Sequence, residues 1–310
     1  MNTAILFLIF NRPNETQEVF EEIRKSKPPR LYVAGDGQRD GYNGEAELIS
    51  KARKIATALD WPCELKTLFR EKNLGSKLAV GSAINWFFEQ EEQGIILEDD
   101  CLPHQDFFKF CEILLGHYRN DERVSMITGN NYQAGQWRGE ASYYFSQYNL
   151  TWGWASWRRA WKYYDNDLIF WPTWKLSADW HNKFPDFFER KYWEKIFNRM
   201  FEDQIDTWDY PWHASVWRYG GLTITPNVNL VSNIGFGPNA TNLKSTNSPL
   251  SRIATKALGE ITHPEIIAQN KVADRFVFNN VYSGRLKRFP FNLLMMTYRL
   301  IKKIINRNQS

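Results

Sequence analysis

The sequence predicts an α/β protein built on a mostly parallel sheet, and three observations carry that expectation. Short apolar runs alternate with amphipathic stretches over the first 130 residues. The first run, residues 4–10, is apolar without a break, as a strand covered on both faces must be. Each run ends in a polar cluster and is followed by a helix pattern, which is how parallel strands joined by crossovers read.

The elements follow in order. The first strand, residues 4–10, stops at Asn11-Arg12-Pro13. A helix comes next: Asn14 offers a cap, Gln17 stands three residues on, and Val19, Phe20 and Ile23 share a face. A second strand, 31–34, ends in Gly35-Asp36-Gly37, and 45–59 is again helical. The third strand, 64–69, ends in Arg70-Glu71-Lys72. The following helix begins near Ser76 and carries Leu78, Ala79, Ala83, Ile84 and Phe87. Gly94 opens the fourth strand, Ile95-Ile96-Leu97, which runs straight into Glu98-Asp99-Asp100. A helix over 105–118 and a fifth strand over 124–128 complete the alternation. Parallel sheets bind ligands beyond the carboxyl ends of their strands. Arg12, Asp36, Arg70, Lys72 and the acidic triplet all fall there.

After residue 130 the pattern changes. Twelve of the 14 Trp lie between Trp137 and Trp217. Such a block serves either as a thick core or as a surface that stacks on sugar rings. No Pro/Gly/Ser linker precedes it, so residues 131–284 are predicted to form a second lobe packed on the α/β part at 1–130. Residues 235–248 are small, polar and turn-forming and read as a loop. Residues 285–310 form a basic amphipathic tail with seven basic residues and no acidic one; without them the net charge of +4 becomes −3. That balance excludes a general affinity for nucleic acid. The tail suits an interfacial helix on anionic lipid, or a helix packing its apolar face on the body. Three Cys without CxxC spacing argue against a disulfide framework and a structural zinc site. No signal sequence or run of membrane-spanning length is evident, so the expected compartment is the cytoplasm, with peripheral contact at the inner face of the membrane through the tail.

The chemistry is concentrated in a few places. Neighbouring strand residues face opposite ways, so Glu98, Asp99 and Asp100 are not all core; packed carboxylates repel and call for a cation or a donor-rich ligand. Oxygen-only ligation with open positions suits Mn²⁺ or Mg²⁺ bound jointly with phosphates, and a solvated acidic turn is the plain alternative. Asp36, between two glycines, accepts from a base or ribose, or simply makes a tight turn. Arg12, Arg70 and Lys72 neutralise a diphosphate near the helix start at Ser76, or are surface charge. Trp152 and Trp154 wall a sugar pocket or join the core. Asp209, set among aromatic residues in Trp208-Asp209-Tyr210-Pro211-Trp212, suits a general base or a helix cap. Neither GxGxxG nor a P-loop is present.

Taken together, these residues resemble the nucleotide-sugar domain of a GT-A glycosyltransferase, most closely the N-acetylglucosaminyltransferase I type, over residues 3–240. The motifs are Asn11-Arg12-Pro13 after the first strand, Val33-Ala34-Gly35-Asp36-Gly37 after the second, the segment from Arg70 to Ala83, and Ile96-Leu97-Glu98-Asp99-Asp100. The resemblance implies that Asp36 contacts uracil, that Asp100 ligates Mn²⁺, and that Glu98 and Asp99 contact sugar and ribose. It places Leu150-Thr151-Trp152-Gly153-Trp154 beside the donor sugar and makes Asp209 the base, with Tyr210 and Pro211 departing from the family pattern and Asp206 a competing carboxylate. The activity implied is metal-dependent, inverting transfer from a UDP-sugar to a saccharide or lipid-linked acceptor in surface-polysaccharide synthesis, with the 235–248 loop closing over the donor. A sugar nucleotidyltransferase and a non-catalytic carbohydrate-binding protein are the other classes open at this stage.

Overall fold

A computed structural model describes residues 1–237 and 250–289. The chain begins with β1 (Ala4–Ile9), α1 (Pro13–Ser26), β2 (Arg30–Gly35), α2 (Glu45–Ala56), β3 (Glu64–Phe69), α3 (Gly75–Gln90) and β4 (Gln93–Glu98). A short β5 (Cys101–Pro103), α4 (Gln105–His117), β6 (Val124–Thr128), β7 (Tyr143–Ser146) and β8 (Trp154–Trp157) follow. Then come the short helices α5 (Arg158–Trp161), α6 (Trp171–Trp174) and α7 (Ala178–Lys183), and the longer α8 (Phe187–Phe201) and α9 (Asp209–Arg218). The described chain closes with β9 (Leu222–Pro226), β10 (Val231–Asn233), α10 (Lys271–Asn280) and α11 (Gly284–Lys287).

The α/β architecture is the one the sequence predicts. Eight strands form one sheet in the order β3-β2-β1-β4-β8-β6-β9-β7, and β10 pairs with β5 in a two-stranded ribbon. Strands β3, β2, β1 and β4 are parallel, with Phe7 opposite both Val33 and Leu97. All six residues of β1 are buried, which is why its sequence shows no alternation. The fifth predicted strand, β6, does not lie beside β4. Strand β8, antiparallel to both, is inserted between them, and β9 and β7 extend the far edge. The aromatic stretch therefore supplies three strands of the same sheet as well as helices.

Local details depart from expectation for identifiable reasons. Helix α1 has no side-chain cap; Pro13 occupies its first position, where a fixed φ and a missing N–H cost nothing, and Arg12 rather than Asn14 stands at the cap. In α3, Leu78 is 52% exposed, while the buried face is formed by Gly81, Ala83, Ile84, Phe87 and Phe88, with Gly81 lying against Tyr164. Trp154, Trp157, Trp171, Trp180, Trp193, Trp212 and Trp217 are all fully buried, which settles most of the Trp block as core. No helix among the described residues is long and apolar enough to cross a membrane. Of the loop predicted at 235–248, residues 238–248 lie outside the described residues, as do residues 290–310 of the predicted tail. The start of the tail rests on the body through Arg288 and Asp186, 2.7 Å apart.

Helix α10 is tied to the sheet edge by one buried carboxylate. Asp274 accepts from Ser146 Oγ (2.5 Å), Gln269 Nε2 (2.8 Å) and Gln147 N (3.1 Å). Burial raises its pKa from 3.8 to about 6, against those donors and the nearby Lys183. A folded chain that holds this proton more tightly than the unfolded chain is most stable below pH 3.8 and loses the contribution as pH rises through about 6. Asp274→Asn is therefore expected to flatten the fall of Tm with rising pH between about 4 and 7. Parallel Tm curves for the variant and wild type would show that Asp274 does not titrate in that window.

Candidate active site

A cleft of about 960 Å³ opens at the carboxyl ends of β1 to β4 and is closed on its far side by residues of the aromatic half. Arg12, Asp36, Arg70, Glu98, Asp99, Asp100, Trp152 and Asp209 all border it. Two sequence-predicted residues do not. Lys72 is exposed on the outer surface, because the chain turns at Glu71 to lay its backbone against Gly37; a Cβ on Gly37 would stand 2.4 Å from the Lys72 carbonyl carbon. Trp154 sits in β8 opposite Ile96 and Thr128 and stacks on Trp208 at 5.5 Å and 19°, so it is core and not a sugar wall.

The acidic end of β4 is organised by Arg12. Its Nη2 lies 3.0 Å from Asp99 Oδ1 and its Nη1 2.7 Å from Asp100 Oδ2. Asp99 also accepts from Phe10 N at 3.0 Å, which fixes it toward the end of β1. Burial lowers the Arg12 pKa, but Asp99 and Asp100 outweigh it and hold the guanidinium charged. Burial likewise pushes Asp99 up to about 6, opposed by Arg12 and reinforced by Asp100. Glu98 is raised well above the ordinary range, first by burial and then by Asp100 and Asp99, and its carboxylate has no hydrogen-bond partner among the described residues. Gly235 crosses directly over the pair: a Cβ there would lie 2.2 Å from Asp100 Oδ2 and 2.4 Å from Arg12 Nη1.

The start of α3 is filled from within. Asp36 accepts from Gly37 N (2.9 Å), Leu74 N (3.0 Å) and Gly75 N (3.1 Å). Asp206 accepts from Ser76 N (3.0 Å) and Lys77 N (2.8 Å). The free N–H groups expected to meet a diphosphate are thus occupied by two of the protein's own carboxylates. Arg70 remains available, bonded through one nitrogen to Ser82 Oγ at 2.6 Å.

Across the cleft, Asp209 is the first residue of α9. Its Oδ1 accepts from Thr207 Oγ1 and from Tyr210 N (2.9 Å), and its Oδ2 has no partner among the described residues. The two carboxylates differ in geometry: Asp206 caps α3, and Asp209 Oδ2 borders the cleft with no partner among the described residues. His213, one turn later, directs Nδ1 to the Asp209 carbonyl at 2.7 Å. A carbonyl only accepts, so Nδ1 carries the proton and Nε2 is a bare lone pair. His213 was missed from sequence, although its four-residue spacing from Asp209 on a helix was a usable signal. Tyr132, Arg39, Asn73, Asn233 and Gly235 also border the cleft and carried no such signal.

No family model matches the chain, and no curated protein matches it. Among solved structures, HddC from Yersinia pseudotuberculosis shares 11% identity over 55% of this chain and 85% of its own, with a TM-score of 0.33. UDP-glucose pyrophosphorylase complexed with UDP-glucose shares 15% over 47% and 62%, at a TM-score of 0.27. The glycosyltransferase GlyE of Streptococcus pneumoniae shares 11% over 67% and 45%, also at 0.27. These likenesses are too distant to assign a family or an activity.

The self-capping of α3 gives a direct prediction. Asp206→Ala is expected to cost about 1 kcal/mol of stability and to speed hydrogen exchange at the Ser76 and Lys77 amides. Unchanged exchange there would mean that Asp206 does not cap the helix in solution.

Proposed function

We propose that the protein is a glycosyltransferase that moves a sugar from a UDP-sugar to a saccharide or lipid-linked acceptor, inverting the anomeric centre, in surface-polysaccharide synthesis. One observation carries the reading: four parallel strand ends deliver Arg12, Asp36, Arg70 and the Glu98–Asp100 carboxylates to one cleft, and Asp209 reaches it from the opposite side. The motif resemblance noted in the sequence supplies the reaction class.

In this reading Arg70, with guanidinium donors to spare, binds the diphosphate and meets the charge that grows on the leaving UDP. Asp36 borders the base end and Trp152 the sugar. The acceptor hydroxyl oxygen bonds to the anomeric carbon as the carbon–phosphate oxygen bond breaks, and Asp209 Oδ2 takes the hydroxyl proton. A base with one oxygen fixed by Thr207 and Tyr210 and the other free is oriented for that transfer.

A divalent cation fits the donor set in its chemistry. Asp100 and Glu98 offer hard oxygens, and among the described residues no three ligating side chains close a cage, so phosphate oxygens would complete the coordination. Asp100 would hold Mn²⁺ or Mg²⁺, sharing its carboxylate with Arg12. When bound, such an ion supplies Lewis-acid stabilisation of the diphosphate.

The first test is thermal stabilisation by a panel of nucleotides and UDP-sugars, with Mn²⁺ and with EDTA. A Mn²⁺-dependent rise in Tm specific to uridine ligands is expected, and Asp100→Ala should abolish the dependence on metal. Stabilisation by UTP with turnover of a sugar 1-phosphate would move the assignment to a nucleotidyltransferase. Asp209→Asn is expected to keep the UDP response while lowering kcat by about 10²- to 10⁴-fold. Wild-type turnover in that variant would place the base elsewhere.

A further inference from the structure

The Asp209 end of the cleft holds a group of polar atoms that nothing among the described residues satisfies. Tyr132, Tyr210 and Tyr282 all border the cleft, and none of their hydroxyls has a hydrogen-bond partner among the described residues. His213 borders it too; it is 3% exposed, and its Nε2 is buried with no partner. Buried polar groups in native proteins are almost always paired, so the bare Nε2 of His213 calls for a partner, and the three unpartnered hydroxyls open to the same cleft can supply the rest of a ligand's contacts.

We propose that Tyr132, Tyr210, Tyr282 and His213 form a subsite that reads the hydroxyls of a neutral sugar, the acceptor of the transfer. The geometry sets the class of ligand. The Tyr210 and His213 rings stand edge to face at 6.2 Å, and His213 is locked by its Nδ1 bond to the residue that carries the free carboxylate oxygen. Tyr282 is stacked on Tyr148 at 5.3 Å and 29°, and Tyr132 meets Trp152 edge-on at 5.6 Å, so these rings are held by packing and not by hydrogen bonds. Three hydroxyls that give or accept and one lone pair that only accepts match a pyranose, whose hydroxyls do both. The aromatic faces suit its C–H surface.

Arg12, Arg39, Arg70 and Arg199 line the cleft beside its carboxylates, so the discrimination is local: Asp209, within electrostatic reach of Tyr210 and Tyr282, disfavours an anionic sugar at this end. The phenols remain neutral donors, because burial pushes Tyr282 and Tyr132 well above their ordinary range and Asp209 adds to the effect on Tyr282. At about 960 Å³ the cleft stands at the upper end of small-molecule sites, with room for a second sugar beside a nucleotide-sugar. The name "acceptor" rests on the proposed transferase reading; the subsite itself does not.

The test uses the full chain with UDP and Mn²⁺ and a probe set of methyl glycosides of glucose, galactose, mannose and N-acetylglucosamine, followed by saturation-transfer NMR. At least one glycoside is expected to bind. Tyr132→Phe, Tyr210→Phe and Tyr282→Phe, which keep each ring and remove one hydroxyl, should each weaken it about five- to tenfold, the range of one neutral hydrogen bond. Binding of no glycoside, or wild-type affinity in all three variants, would overturn the proposal. The UDP response of the wild type is scored separately. Glycoside binding that depends on these hydroxyls without any nucleotide response would sink the transferase reading and leave the subsite standing.

Discussion

The cleft depends on one ion triad. Three consecutive carboxylates at the end of a buried strand repel one another, and two of them, Asp99 and Asp100, are almost wholly out of solvent. Arg12 makes that arrangement tenable by bonding both, and the neighbouring carboxylates in turn hold its guanidinium charged against burial. A buried group of this kind is costly to break, because removal of one partner leaves uncompensated charge in low dielectric. The surrounding chain is shaped to it: β1 ends where Phe10 N can reach Asp99, α1 starts at the residue after Arg12, and the chain after β10 crosses on a glycine. Glu98, left outside the triad, is the carboxylate with unspent capacity.

That arrangement also changes how an anion is held. In many α/β sites the N–H groups of a helix start do the work. Here α3 is already neutralised by Asp36 and Asp206, which come from opposite halves of the chain. The two contacts stitch the halves together at the cleft floor. In the proposed reading they leave the anion to side-chain cations, of which Arg70 and Arg199 border the cleft with donors to spare among the described residues.

Much of this was legible in the sequence because burial on both faces imposes unbroken apolar runs. Strands β1, β2 and β4 could be read for that reason, while edge strand β3, with no fully buried residue, was legible from its place in the alternation; the polar ends of all four strands, with Arg12, Asp36, Arg70 and the acidic triplet, could be read with them. Strand β8 could not: four residues, Trp-Ala-Ser-Trp, show neither a run nor a clear alternation, and its place between β4 and β6 is a tertiary choice. Trp152 and Trp154 look alike in sequence, yet the chain turns at Gly153, whose φ is 68°, so Trp154 enters β8 and the core while Trp152 stays before the strand at the cleft. Asp206 and Asp209 were equally ambiguous, since capping is decided by a helix start 130 residues away.

The aromatic block then acquires a purpose beyond burial. Trp208, immediately before Asp209, is 3% exposed and packs against Trp154 and Trp161, while Trp212 on the next turn packs on the same two rings. Rings of this size have few rotamers and lose little further freedom once packed. The first turn of α9 is therefore anchored on both sides of Asp209, with His213 clamped between Trp193 and Trp217 behind it. In the proposed transfer, a carboxylate that takes a hydroxyl proton benefits from rigid support more than from any added charge. An α/β sheet that binds a ligand at its strand ends needs a second wall that does not yield, and packed tryptophan provides one.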